Sequence, residues 1–232
     1  MKEILKEFKE RVKEVNLYFD FLTSVVSKDI HLHSTKTGEG QQVDVEIQKI
    51  LKANLFLILY NLVEAIIKKS IQEIYDSIER DGLPYKLTRP EIQKILITHR
   101  YKQIRESSPT NFVQAIEELL TDALNDAAVK LDPASIPISG NLDAQEIRKL
   151  ARVYGFSETT KKAKRGGSDL LTVKNQRNLL AHGNLTFSEC GRNYNINDLK
   201  RIKNEVIWFL EDILKNIKLY IDAKEYCNSL KR

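Results

Sequence analysis

Hydrophobic residues recur at three- and four-residue spacing over most of this chain, the period of an amphipathic helix. Ile4, Leu5, Phe8, Val12, Val15, Phe19 and Leu22 make the first stripe, with Lys and Glu between them, and predict a helix over 3–22. From 27 to 43 the period is lost and Gly, Ser and Thr enter, which reads as a loop. A long helix is expected over Val43–Ile78, ended by Asp81-Gly82 and Pro84. Its middle is apolar nearly all round, as in a helix at the centre of a bundle. The apolar run Leu55–Ile67 is broken by Asn61 and Glu64 and has the length of a buried core helix, not of a membrane span.

Downstream, Thr88 offers an N-cap, with Pro90 and Glu91 in the first turn of a helix to about Arg105. Ser107-Ser108-Pro109 breaks it, and a further helix is expected from Asn111 to Val129. A loop with two prolines (132–142) precedes a short helix from Asp143 to Tyr154, closed by Gly155. Residues 157–167 are basic, end in two glycines and read as a mobile loop. A helix from Asp169 to His182 stops at Gly183, and two β-like pieces around Gly191-Arg192 predict a small hairpin over 186–196. Asn197 then caps a last helix striped with Leu199, Ile202, Val206, Phe209, Ile213, Ile217 and Tyr220. The expected architecture is therefore all-α. Four helices (3–22, 43–78, 169–182 and 197–222) form the bundle of a single domain, and residues 84–132 form a helical insertion packed on it.

Composition changes this picture little. With 9 Gly and 5 Pro in 232 residues, a turn-rich β architecture is disfavoured. The net charge of +5 permits an anionic partner without requiring one. Cys190 and Cys227 are far apart and outside any C-x-x-C, as expected of free thiols in a reducing cytoplasm. The N-terminus carries no apolar run before a cleavage site, so neither a signal peptide nor membrane attachment is expected.

The strongest chemical signal is Lys174-Asn-Gln-Arg177-Asn178-Leu-Leu-Ala-His182-Gly183. Arg177 and His182 are offset by about 140° on a helix, while Asn178 and His182 share a face. The three can converge where the helix ends. A plain helix terminus, with cations suited to the helix dipole, is the alternative. Asn61 and Glu64 on the apolar helix fit either a structural polar network or an orienting role in which Glu64 pairs with Arg177. Lys174 is a candidate phosphate ligand, and Lys161, Lys162, Lys164 and Arg165 fit either an RNA-backbone track or a solvated loop. His31 and His33 form an H-x-H with no third ligand in view, so a metal site is not expected. No nucleotide-binding or H-E-x-x-H motif is present, and no cofactor is called for.

RNLLAH resembles the R-x-x-x-x-H motif of the HEPN superfamily, including the polar residue after its Arg. LYNLVEA (59–65), GNLDAQEIRKLARVYGF (140–156) and the expected hairpin and final helix directly after the motif are similar to a subgroup from bacterial defence and toxin loci. The resemblance covers about half the chain. It implies a metal-independent ribonuclease with Arg177, Asn178 and His182 as catalytic residues. An imidazole can serve as base or acid near neutral pH, and a guanidinium can hold two phosphate oxygens. One His per chain for two proton transfers implies a homodimer that apposes two copies of His182. RNA substrate, a homodimer partner and an antitoxin or defence-system protein are the expected partners. The alternatives are a non-catalytic HEPN dimer binding RNA, nucleotide or protein, and a helical scaffold without a nucleic-acid role. Some HEPN toxins carry a Tyr two residues after the motif His, where an antitoxin modifies it. Asn184 stands there in this chain, which argues against that mode of control.

Overall fold

The computed structural model describes residues 1–27, 31–33, 38, 40–105, 109–132, 136, 138 and 140–228. In chain order they form α1 (Lys2–Val26), β1 (His31–His33), β2 (Gly40–Gln42), α2 (Val45–Arg80) and a 3₁₀ turn at Tyr85–Leu87. There follow α3 (Pro90–Arg105), α4 (Pro109–Leu124), α5 (Ala144–Tyr154), α6 (Ser168–Ala181), α7 (Phe187–Arg192) and α8 (Ile196–Asp222). The fold is all-α apart from one two-stranded ribbon.

α2 is the axis. It runs 36 residues without a Gly or Pro, starts where the Asp44 carboxylate accepts the Glu46 amide at 2.6 Å, and packs against α1, α6, α7 and α8. Leu55, Phe56, Leu59, Leu62, Ile66, Ile71 and Ile74 on it are buried, so the long apolar stretch of α2 forms the core of the bundle. The stripes of α1 (Ile4, Phe8, Val15, Phe19, Leu22) and α8 (Leu199, Ile202, Val206, Phe209, Ile213, Ile217) close on it. The four expected bundle helices are all present, with ends shifted by a few residues.

Several expectations fail, each for a local reason. The hairpin over 186–196 is a helix, α7. Thr186 and Glu189 form a capping box: the Glu189 amide donates to Thr186 Oγ1 at 3.2 Å and the Thr186 amide donates to Glu189 Oε2 at 2.9 Å. Gly191 is not a turn residue but a contact residue. A Cβ there would lie 1.9 Å from the Lys49 carbonyl oxygen, so only glycine lets α7 dock on α2. The cap of α8 is accordingly Asn195, whose side chain accepts the Asp198 amide at 2.9 Å, not Asn197. The loop expected at 27–43 contains the antiparallel ribbon, with Leu32 opposite Gln41. Leu32 is exposed, so no buried stripe marked the strand. Residues 28–30, 34–37 and 39 of that loop lie outside the described ones.

A further failure is the basic segment 157–167, which is anchored rather than mobile. Asp212 Oδ2 accepts the amides of Lys161 and Lys162, each at 2.7 Å. Glu205 Oε1 accepts those of Arg165 at 3.0 Å and Gly167 at 2.9 Å. Both carboxylates are buried on α8 and satisfy the backbone of the segment where a helix or strand would otherwise do so.

The excursion through α3 and α4 leaves and returns at one place. Pro84 bridges Ala128, and the Val129 amide donates to the Leu83 carbonyl at 2.7 Å. Thr88 does not cap α3. Its hydroxyl donates to the Tyr85 carbonyl at 2.8 Å, closing the 3₁₀ turn instead. α3 buries Ile92 and Ile95 and touches α5. Ser107 and Ser108, expected to separate the two helices, lie outside the described residues.

Candidate active site

α6 ends in a Schellman motif. Gly183 takes the left-handed conformation (φ +68°), its amide donates to Leu180 O at 3.2 Å, and the Asn184 amide donates to Leu179 O at 2.9 Å. This closure holds His182 at the C-cap, just outside the helix proper, with its side chain exposed. The imidazole has no hydrogen-bond partner among the described residues.

One and a half turns earlier, Arg177 is half-buried and held on three sides. Its guanidinium carbon sits 4.4 Å from the ring centroid of Tyr60, a cation–π stack on the core helix. Nη1 donates to the Gly140 carbonyl at 3.3 Å and to Asn178 Oδ1 at 2.9 Å. Asn178 Nδ2 donates in turn to Asn141 Oδ1 at 2.9 Å. The Nε and Nη2 side of the guanidinium has no partner among the described residues, and no carboxylate there pairs with Arg177. A charge fixed in place and left uncompensated, with a two-donor edge open, is an anion-binding arrangement.

The segment 140–143 organises this end of the bundle. Tyr60 is 3% exposed, and its hydroxyl accepts the Leu142 amide at 3.1 Å. Burial pushes that phenol above its usual value. The buried Asp143 caps α5, accepting the Glu146 amide at 3.0 Å, and takes Lys174 Nζ at 2.5 Å. Burial alone would raise the Asp143 carboxyl, but the Lys174 ammonium and the capping amides outweigh it and hold the group below its ordinary value.

The other expected site residues fall out differently. Lys174 lies one turn before Arg177, with its charge taken up by Asp143. Glu64 is half-buried, one turn beyond Tyr60 on the same face of α2. It forms no ion pair or hydrogen bond with Arg177 or any other described residue. The orienting role expected of it is filled by the Tyr60 ring. Asn61 is exposed and accepts from Arg11 at 2.9 Å, so it ties α1 to α2 away from Arg177. Lys161, Lys162, Lys164 and Arg165 sit at the opposite end of α6. Lys162 pairs with Glu211 at 2.5 Å and Arg165 with Asp169 at 3.4 Å. His31 and His33 belong to the ribbon, and no group of three His, Cys, Asp or Glu able to hold a metal occurs among the described residues. Burial pushes the Cys190 thiol up to about 11, which keeps it protonated and unreactive near neutral pH.

Sequence reasoning missed Tyr60 and the Gly140–Asp143 segment as parts of the site. The signal was at hand: both lie inside the two segments, LYNLVEA and GNLDAQEIRKLARVYGF, that accompany the R-x-x-x-x-H motif.

Compared with known proteins, the chain matches a family model described as HEPN_MAE_28990:/-like HEPN over residues 1–226, a span that includes every element described above. No curated protein and no solved structure matches it.

Proposed function

Because the chain belongs to the HEPN_MAE_28990-like HEPN family, we propose that it is a metal-independent endoribonuclease working as a homodimer in a toxin or phage-defence role. The observation that carries this reading is the state of Arg177: immobilised by Tyr60, Gly140 and Asn178, yet free of any carboxylate and open along one edge. That edge binds two non-bridging oxygens of the scissile phosphate and stabilises the charge that builds up on them. The 2′-OH of the preceding ribose attacks phosphorus, its proton passes to one His182, and the departing 5′-oxygen takes a proton from a second. The products are a 2′,3′-cyclic phosphate and a 5′-hydroxyl end.

Two copies of His182 require two copies of the chain. In support, Leu171 (48% exposed) and Leu179 (37% exposed) lie with Asn175 on the outer face of α6, in line with the exposed His182. An apolar stripe leading to the motif suits an isologous helix–helix contact. The basic residues 161–165 cannot touch the same phosphate. α6 has 14 residues, which at about 1.5 Å each puts its ends on the order of 20 Å apart. They would meet RNA several nucleotides away.

A second reading, a non-catalytic dimer that binds RNA, nucleotide or a protein partner, draws on one observation: among the described residues nothing hydrogen-bonds the His182 ring. The discriminating experiment is cleavage of RNA in EDTA with analysis of the ends. Cleavage leaving a cyclic phosphate, blocked by a 2′-deoxyribose at the cut site, is expected. Cleavage of the deoxy-substituted strand, or a requirement for Mg²⁺ or Mn²⁺, would overturn the mechanism.

A further inference from the structure

Beside the Arg177–Asn178 pair, a cleft of about 430 Å³ opens between α5 and α6. Leu142 and Leu150 on its walls are buried, whereas Val153 is 45% exposed with no covering residue. Glu146, Leu150 and Val153 fall on one face of α5 at helical spacing, so this face is presented to the cleft as a unit. Two cations and a carboxylate stand at its edge, and the charges balance locally: Lys149 pairs with Glu146 at 2.5 Å, and Lys174 with Asp143 at 2.5 Å. A cleft that is apolar within and neutral at its mouth suits an uncharged flat group better than a phosphate. The phosphate charge is met next door, by Arg177.

Asn141 joins the cleft to the motif, and its polarity is dictated. A guanidinium can only donate. Arg177 Nη1 therefore requires the carbonyl oxygen of Asn178, which turns the Asn178 amide nitrogen toward Asn141. Asn141 must accept with Oδ1, which leaves its Nδ2 hydrogens as the unengaged part of a side chain that lines the cleft. The arginine thus sets, two residues away, a donor-only amide at the cleft wall.

We infer that the α5–α6 cleft is a nucleobase subsite in which Asn141 donates to a ring carbonyl of the base beside the bound phosphate. The inference rests on RNA being the ligand of the Arg177 site. A splayed-out base is how single-stranded RNA is commonly read, and the volume is within the ordinary range for ligand sites. A donor-only contact favours uracil, whose Watson–Crick edge carries two carbonyl acceptors, over adenine, whose single acceptor on that edge, N1, adjoins an amine that would meet the amide donor to donor.

The test uses the full-length protein and non-cleavable 2′-O-methyl oligonucleotides, U-rich and A-rich, followed by fluorescence anisotropy. Wild type binds the U-rich strand about 3- to 10-fold more tightly, the worth of one hydrogen bond. Asn141→Asp still accepts from Asn178 but presents an acceptor to the cleft, so the preference reverses toward the A-rich strand. Val153→Asp, an exposed position that leaves the core intact, weakens both strands. An unchanged U-to-A ratio in Asn141→Asp, or no binding of either strand by wild type, overturns the subsite. Because the probes cannot be cleaved, a reversed preference in a protein that fails to cleave RNA would retain the subsite while removing the ribonuclease.

Discussion

The two ends of α6 hold their cations in different ways. At the N-terminal end several charges are spent on structure: Asp169 takes Arg201 at 2.5 Å and Arg165 at 3.4 Å, Lys162 is paired with Glu211, and Glu205 and Asp212 accept four backbone amides within 3.0 Å between them, while the exposed Lys161 and Lys164 are held only through the backbone of their segment. At the C-terminal end Arg177 has an aromatic face, a carbonyl and an amide around it, and among the described residues no carboxylate pairs with it and His182 has no hydrogen-bond partner. The basic run at 161–165 is the more conspicuous feature of the sequence. A cation fixed in place with an open edge, rather than a density of charge, marks the candidate site, and that fixing depends on partners that come from distant parts of the chain.

The sharpest way to break this comparison is to remove single side chains at each end. His182→Ala and Arg177→Ala should each lower cleavage by about 10²–10⁴-fold, the range for a positioned proton-transfer or phosphate-stabilising group. His182→Ala should not shift the unfolding midpoint measurably, because that side chain is exposed and has no hydrogen-bond partner among the described residues. Lys162→Ala should leave cleavage within a few-fold of wild type, because it breaks only an exposed ion pair. Equal losses at the two ends, measured on the same RNA, would contradict the distinction.

Stability should show the reverse. Glu205→Ala strands the amides of Arg165 and Gly167 in a buried setting. Two lost charge-assisted hydrogen bonds cost about 2–4 kcal/mol. For a domain of this size that lowers the melting temperature by roughly 5–15 °C. Differential scanning calorimetry reads it directly, and a change under about 1 °C would mean that the loop is not held by Glu205.

Much of the fold was legible because burial repeats with the helical period, and α1, α2, α6 and α8 bury such stripes. The ribbon was not, since Leu32 and its neighbours pair through the backbone with an exposed face. α7 was misread because Thr186 and Glu189 encode a helix start three residues apart, while Gly191 imitates a turn. At the site, spacing along one helix brought Arg177 and Asn178 to notice. It could not show that Tyr60, 117 positions earlier, would lie under the guanidinium, nor that Glu64 would not reach it. A local period carries no information about which side chains meet across the bundle.

Lys174 lies between these two regimes, a cation beside the motif whose charge is nonetheless bound. Its partner Asp143 is buried, caps α5, and has a carboxyl held below the ordinary value of 3.8. A group whose pKa is lower in the folded than in the unfolded chain adds stability that is fully present above the unfolded value. That stability is lost as the pH falls through the folded one. From pH 6 to 5 this pair should therefore contribute its full amount, and below about 4 the contribution should decline. Asp143→Asn keeps an N-cap but abolishes the charge. The variant should be less stable than wild type at pH 6, and the gap between the two melting curves should narrow as the pH approaches 3. The absence of a gap at every pH in that interval would mean that Asp143 acts through its cap alone. Lys174 would then be as free for phosphate as Arg177, and the boundary between tied and available charge would move one turn up the helix.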